Sequence, residues 1–159
     1  MSEGPRGGQD SPPPENPPGD AAPAQPAGDA YAWYQRGIEL LRKRSPAAAA
    51  QLLERASAAE PQSRMVREAL ARAQFDAGWY SLAVQNFRLI VEASPADDYA
   101  HFGLGLALAR TGEPGQAAEY LALAAAMRPD LPHYSAALRD VRATLRARQG
   151  QPDQGTETA

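Results

Sequence analysis

Asp97, Asp98 and His101 are the residues whose types and spacing come closest to a reactive site in this sequence. Two carboxylates followed by a histidine could place metal ligands on one face of a helix. A metal site needs at least one further ligand, however, and none lies nearby in the sequence. The pattern is better explained by a helix N-terminus. There, Asp97 or Asp98 would cap free backbone N–H groups, and its negative charge would interact favourably with the positive end of the helix dipole. We therefore predict no metal here.

Two other patterns that could do chemistry are also incomplete. Gly103-Leu104-Gly105 lacks the third glycine of a phosphate-binding loop, follows no strand and falls inside a helical pattern. His101 and His133 have no Ser and Asp partners in a pattern typical of a nucleophile triad. The chain has no cysteine, which excludes disulfides and thiolate chemistry. We expect a protein that is not an enzyme and that binds no cofactor.

Pro61, Pro95 and Pro129 are evenly spaced, and each closes the same pattern of small and apolar residues. Their period of about 34 residues is typical of stacked helical repeats. Small residues share two further registers: Gly37, Ala71 and Gly105, and Ala49, Ala83 and Ala117. Helices approach to about 8–10 Å only where the side chain between them is small. The period therefore predicts closely packed helix pairs.

Within each period, a break separates two stretches with helical spacing of apolar residues. In the first period, Ser45-Pro46 is typical of an N-cap followed by proline in the first turn. In the second, Gly78 is expected to end a helix in the left-handed region of backbone conformation. In the third, Thr111-Gly112 ends one helix and Pro114 opens the next. Each period thus predicts a helix hairpin.

Residues 133–148 predict one more helix, with a single apolar stripe formed by Tyr134, Leu138, Val141 and Leu145. Arginines occupy its other faces: Arg139, Arg142, Arg146 and Arg148. Solenoids need a polar terminal cap to stay soluble, so a capping helix is one interpretation. A basic docking face is the other.

These residues resemble the tetratricopeptide repeat family, whose pattern places Trp, Leu-Gly, Tyr, Ala, Phe, Ala and Pro over about 34 residues. The matching residues are Trp33, Gly37, Ala49, Ala56 and Pro61; Leu70, Gly78, Tyr80, Ala83, Phe87 and Pro95; and Leu104, Gly105, Gly112, Ala117, Ala124 and Pro129. The chain departs from the pattern at Arg36, Arg67, Gln74 and His101. The resemblance implies an all-α, right-handed α-α solenoid. It would have three hairpins at about 30–63, 64–97 and 98–131 and a capping helix at 133–148.

The terminal segments differ in composition from this domain, which spans 30–148. Residues 1–29 hold eight of the fifteen prolines and a net charge of −4, which predicts a disordered acidic tail. Residues 149–159 are predicted to be a flexible tail. From residue 30 onward, 15 basic and 14 acidic side chains nearly balance, which argues against a nucleic-acid partner.

Nothing in the sequence indicates a membrane or a secretion signal. No apolar run approaches the length of roughly 18 residues that a membrane-spanning helix needs. The start Met1-Ser2-Glu3-Gly4-Pro5 lacks a basic region followed by an apolar one. We therefore expect a cytoplasmic protein that does not bind membranes.

The resemblance also implies that the first helix of each repeat lines a concave groove that binds a partner. Carried over by register, the partner-binding residues are Tyr31, Tyr34, Ile38, Arg42, Arg72, Phe75, Tyr99, Phe102, Leu106 and Arg110. Exposed aromatic residues beside arginines are typical of interaction sites. The arginines are available to pair with acidic flanks of a partner segment. The aromatic residues could instead pack against neighbours across repeats, and Gly103 could either make room for a partner side chain or only loosen its helix.

Three functional hypotheses follow from this pattern. The first is a protein-protein interaction module, an adaptor or scaffold that binds a peptide or helix of a partner of unknown identity. The second is a structural subunit that self-associates as a homo-oligomer or joins a larger assembly. In the third, the acidic tail folds back onto arginine-bearing surfaces and competes with the partner.

Overall fold

A computed structural model describes residues 28–150, so the predicted tails lie almost entirely outside the described residues. The described chain forms seven helices and no strand. They are α1 (Asp29–Arg42), α2 (Pro46–Ala59), α3 (Arg64–Asp76), α4 (Tyr80–Ala93), α5 (Asp98–Arg110), α6 (Pro114–Met127) and α7 (Pro132–Gly150). Helix α1 begins at Asp29, and α7 begins one residue earlier and ends two residues later than the helix predicted at 133–148. No helix between Asp29 and Gly150 combines the length and apolar character needed to cross a bilayer.

The helices stack in chain order as hairpins. Each helix packs against the next one, and α1, α3, α5 and α7 also contact one another in sequence. The odd-numbered helices therefore form one layer and the even-numbered helices the other. This arrangement confirms the predicted all-α solenoid, and α7 buries Tyr134, Leu138 and Val141. The arginines of α7 are exposed, as a capping helix requires.

The shared register of small residues has the predicted mechanical cause. A Cβ atom added to Gly37 would lie 2.6 Å from Cγ of Leu53, and one added to Gly105 would lie 2.6 Å from Cγ of Leu121. Leu53 and Leu121 are fully buried at equivalent positions of α2 and α6. Each of these two hairpins therefore closes by packing a leucine of its second helix against the backbone of its first.

Two departures from the family pattern, Arg67 and Gln74, are accommodated by hydrogen bonds. Asn86 Nδ2 donates to Oε1 of the buried Gln74 at 2.8 Å, and Arg67 Nη1 donates to Asn86 Oδ1 at 3.1 Å. Arg67 Nη2 also donates to the Pro61 carbonyl oxygen at 2.9 Å. Buried polar groups cost little when they are paired in this way. The polar residues therefore replace apolar contacts between α3 and α4 with a connected network.

The turns that follow α1, α3 and α5 share a left-handed backbone position. Gly78 has φ 80° and Gly112 has φ 85°, which confirms the prediction for Gly78, and the equivalent residue after α1 is Arg44 with φ 57°. A left-handed backbone costs a non-glycine residue roughly 1–2 kcal/mol. Ser45 occupies the N-cap position of α2 as predicted, but its side chain accepts no hydrogen bond from that helix.

Replacing Arg44 with glycine is expected to stabilise the domain by about 1 kcal/mol, because glycine adopts the left-handed region without steric cost. Urea unfolding followed by circular dichroism measures the change. Arg44→Ala is the matched control, since it removes the same side chain but keeps the strained backbone. Equal stability of the two variants would contradict the explanation.

Candidate functional site

The layer of odd-numbered helices carries all of the predicted partner-binding residues, and the structure gathers half of them around one hollow. Arg72, Phe75, Tyr99, Phe102 and Leu106 surround a space of about 160 Å³ between α3 and α5. We call this space the aromatic hollow; its lining is completed by Asp76, Phe87 and Gly103. A cavity of about 150 Å³ holds a group the size of benzene. The aromatic hollow therefore has room for one apolar side chain.

The floor of the aromatic hollow comes from the other layer. The buried ring of Phe87, on α4, lies so close to Gly103 that an added Cβ would be 2.5 Å from its Cε1 and Cζ atoms. The Tyr99 ring meets the same phenylalanine edge-on, with 6.2 Å between ring centroids. The space beside Gly103 is thus filled by Phe87, so neither interpretation made from the sequence describes this glycine.

Phe75 and Phe102 pack against neighbouring rings as well as lining the hollow. Phe102 stacks on Tyr134 of α7 with a centroid distance of 4.4 Å. Phe75 meets Tyr80 edge-on at 5.2 Å. Packing against neighbouring rings therefore accounts for part of the aromatic surface: Phe102 packs across repeats, the alternative left open by the sequence, and Phe75 packs within its own hairpin. It also holds these rings in place around the hollow.

Arg110 is engaged within the domain. Its Nη1 atom donates to the Tyr80 hydroxyl at 2.9 Å. Its guanidinium carbon lies 5.4 Å from the centroid of the Tyr80 ring and 5.9 Å from that of Phe75. These contacts restrict its availability to acidic flanks of a partner, and they attach the end of α5 to α4.

The predicted partner-binding residues of α1 differ in how exposed they are. Tyr31 is 42% exposed, whereas Tyr34 and Ile38 are half-buried against the core formed by α2 and α3. Burial, together with the negative charge of Glu68, raises the pKa of the Tyr34 hydroxyl. Burial also raises the pKa of Tyr99. Both phenols therefore stay neutral at ordinary pH and remain hydrogen-bond donors.

The half-buried carboxyl of Glu68 has a pKa above its usual value. Burial is the larger cause, and the negative charge of Asp97 adds to it, while Arg64 and Arg72 act in the opposite direction. A carboxyl whose folded-state pKa is raised binds protons more tightly in the folded chain than in the unfolded one. Its contribution to stability is therefore present below the ordinary pKa near 4.5 and is lost as pH rises through the folded-state value.

In wild type, the free energy of unfolding is expected to decrease as pH rises above about 4.5, because the Glu68 carboxyl has a raised pKa in the folded chain. Glu68→Gln is expected to remove this decrease. Urea unfolding at half-unit steps from pH 4 to pH 7 measures the free energy of unfolding of both proteins. Plotted against pH, it should decrease more steeply for wild type than for Glu68→Gln. Glu119→Gln, at an exposed position of α6, is the control. Parallel curves for wild type and Glu68→Gln would contradict the prediction.

A second hollow, of about 590 Å³, lies at the C-terminal ends of α1 and α3. We call it the arginine hollow; it is lined by Leu41, Arg42, Arg44, Pro46, Arg72 and Asp76. Arg42 and Arg72 belong to the predicted groove, but Arg44 was missed. Comparing the repeats would have found it, because Arg44 stands where the other two repeats have Gly78 and Gly112. Phe87 appeared in the sequence only as a match to the family pattern, and no sequence signal places it beneath the aromatic hollow.

Of the residues with potential metal-binding spacing, Asp97 caps α5, as predicted for Asp97 or Asp98. Asp97 Oδ1 accepts a hydrogen bond from the backbone N–H of Ala100 at 3.0 Å. His101 is buried, and its Nδ1 lies 2.8 Å from the Asp97 carbonyl oxygen, so the ring nitrogen is the donor.

Comparison with solved structures finds the same architecture in other proteins. MamA of AMB-1 is 25% identical, has a TM-score of 0.66, and aligns over 75% of this chain and 65% of its own. MamA from Desulfovibrio magneticus RS-1 is 23% identical with a TM-score of 0.70, covering 73% of this chain and 66% of its own. The first TPR of Spaghetti (RPAP3), bound to the HSP90 peptide SRMEEVD, is 16% identical with a TM-score of 0.68. It covers 74% of this chain and 93% of its own.

The chain thus spans about two thirds of the length of the MamA structures. Comparison with curated protein sequences gave no significant match. A sequence profile described as tetratricopeptide repeat matches residues 34–98 and 80–132, which together make up more than half of the chain. The helix hairpins, their period and this match lead to one conclusion: the chain belongs to the tetratricopeptide repeat family.

Proposed function

We propose that the chain is a non-catalytic interaction module that binds a peptide or helix of a partner protein across α1, α3 and α5. The observation that carries this proposal is the aromatic hollow. Partly exposed rings around a space for one side chain resemble the anchor pockets that dominate binding energy at interfaces. The Spaghetti domain, which shares the fold, is described bound to a short peptide and supports a ligand of this kind.

The groove residues have different roles in this proposal. Phe75, Tyr99, Phe102 and Leu106 surround the anchor side chain of the partner. Tyr31, Tyr34 and Ile38 extend the contact along α1, and Arg42 and Arg72 lie where the partner segment leaves the apolar surface. Arg110 acts indirectly, by holding the rings of Phe75 and Tyr80.

Tyr34→Ala combined with Phe102→Ala is expected to weaken partner binding at least tenfold, because each ring contributes roughly 1 kcal/mol or more at a well-packed interface. Affinity capture from a lysate, read by quantitative mass spectrometry, identifies the proteins whose recovery depends on these rings. Leu89→Ala with Leu123→Ala is the control, since both leucines are about half-exposed on the opposite layer.

Circular dichroism of both double variants verifies that they are folded under the capture conditions. Unchanged recovery of every partner by the Tyr34 and Phe102 variant would contradict binding at this surface. Equal loss in the Leu89 and Leu123 variant would do the same.

Self-association is a second candidate, favoured by one observation. Leu89 of α4 and Leu123 of α6 are 47% and 49% exposed and stand at the same position of consecutive repeats, so they form an apolar ridge on the even-numbered layer. Sedimentation velocity over a hundredfold concentration range tests it. A concentration-independent monomer would exclude self-association, and a dimer abolished by Leu89→Ala with Leu123→Ala would place the contact on this ridge.

A further inference from the structure

The arginine hollow carries more positive charge than its surroundings neutralise. The side chains of Arg42 and Arg44 make no hydrogen bond or ion pair with any residue between 28 and 150. Arg72 Nε reaches only Asp76 Oδ2, at 3.9 Å. Three guanidinium groups thus line a hollow with a single carboxylate, which only Arg72 approaches.

The other basic side chains on α1 and at its C-cap are arranged differently. Arg36 and Lys43 both pair with Glu39 at 2.8 Å. These two exposed cations therefore have an acidic partner, whereas Arg42 and Arg44 do not have one in the part of the chain that the structure describes. Arg42 lies in the last turn of α1, where the negative end of the helix dipole stabilises a cation. Arg44 lies beyond that turn, and the helix end gives no reason for its charge.

Arg44 is also the strained residue of the turn. The equivalent turns use Gly78 and Gly112, so the fold itself requires no side chain at this position. A non-glycine residue in the left-handed region is destabilising, and such outliers concentrate at functional sites. The strain and the unpaired charge occur in the same residue, at the rim of the same hollow.

The arginine hollow and the aromatic hollow are adjacent because Arg72 and Asp76 line both of them. A segment with one apolar side chain in the aromatic hollow would have its next few residues over Arg42 and Arg44. We infer that the arginine hollow binds the carboxylates of an acidic peptide segment of a partner protein, whose neighbouring apolar residue occupies the aromatic hollow. This inference rests on the proposed function, since both hollows belong to one binding surface.

Charge elsewhere on the surface favours a short acidic segment over a nucleic acid. Glu68 of α3 and Asp98 of α5 lie in the N-terminal halves of these helices, away from the arginine hollow. They would repel an extended phosphate backbone that crosses the layer. A peptide with two or three acidic residues beside one apolar residue places its charge only at the arginine end.

Selection of random dodecapeptides displayed on phage, with the full chain immobilised, tests the inference. We expect enriched peptides to carry Asp or Glu within three residues of Leu, Phe or Met. Selection on the Arg42→Gln/Arg44→Gly variant should lose the acidic residues but keep the apolar one. A selection on wild type without acidic enrichment would overturn the inference.

Fluorescence anisotropy with a fluorescein-labelled synthetic copy of the most enriched peptide then gives affinities. Exposed ion pairs contribute up to about 1 kcal/mol each, so the Arg42→Gln/Arg44→Gly variant should bind about tenfold more weakly. Arg139→Gln/Arg142→Gln, on exposed positions of α7, makes the same charge change and should bind like wild type. Because Arg44→Gly relieves backbone strain, weaker binding cannot be attributed to unfolding.

The outcomes separate this inference from the proposed function. Peptides that require Phe102 but not the arginines would contradict the inference alone, whereas a selection that yields no binding peptide would contradict both. If Arg42→Gln/Arg44→Gly and Arg139→Gln/Arg142→Gln weakened peptide binding equally, net charge alone would explain the effect, and the inference would be overturned. A labelled oligothymidylate that binds wild type more tightly than the peptide does, and depends on Arg42 and Arg44, would also overturn it.

Discussion

Phe87→Ala is expected to destabilise the domain by about 4 kcal/mol, the largest effect predicted for any single substitution proposed for this chain. The Phe87 side chain is 2% exposed and belongs to the core cluster that joins α3, α4, α5, α6 and α7. Its loss removes a full aromatic side chain from the core. Backbone relaxation cannot fill the space, because Gly103 has no side chain to move into it.

Urea unfolding followed by circular dichroism measures this change directly. Leu89→Ala is the matched control, since it truncates a side chain two residues further along α4 that is 47% exposed. Truncation at such a site is expected to cost roughly 0.5 kcal/mol or less. Similar losses in the two variants would mean that the core does not depend on Phe87 in particular.

Gly103→Ala is expected to destabilise the domain by about 2 kcal/mol, although alanine is the better helix former. The added Cβ would meet three ring atoms of Phe87 at 2.5–2.8 Å. Overpacking of this kind costs about 3 kcal/mol, and the higher helix propensity of alanine returns about 1 kcal/mol. The ring has little freedom to retreat, because it is buried and Tyr99 lies against it.

Gly115→Ala provides the control, since a Cβ at Gly115 of α6 would meet nothing within 4 Å. That substitution should be neutral or stabilising by up to about 1 kcal/mol. The double variant Phe87→Leu/Gly103→Ala should lose less stability than the two single changes combined, because leucine removes the ring that the new methyl group meets. Additive losses, or a neutral Gly103→Ala, would contradict the contact.

The Gly103 substitution also connects stability to the candidate site. Phe87 and Gly103 both line the aromatic hollow, so a displaced ring would change the shape of the space offered to a partner. Arg44 shows the opposite relation, since glycine there should increase stability while removing a positive charge from the arginine hollow. Stability and binding are therefore expected to change together at Gly103 and in opposite directions at Arg44.

Local patterns in the sequence determined the helices and the repeat. The repeat period, the prolines that open or close helices and Gly78 each act on the backbone of their own segment, so their effect can be predicted without the rest of the fold. The registers of Gly37 and Gly105 identified the close contacts within hairpins, because these repeats use the same packing. The family and the solenoid architecture follow from these features.

Tertiary structure decided how the surface of the odd-numbered layer is used. The register identified Phe75, Phe102 and Arg110 as surface residues of that layer, but not their packing against Tyr80 and Tyr134. Those contacts depend on side chains from other helices filling the same space, and the identity of those side chains varies between repeats. The same reason applies to Phe87 beneath Gly103 and to the arginines that converge at the end of α1. A periodic pattern predicts the positions that repeat, whereas a binding surface depends on the residues that do not.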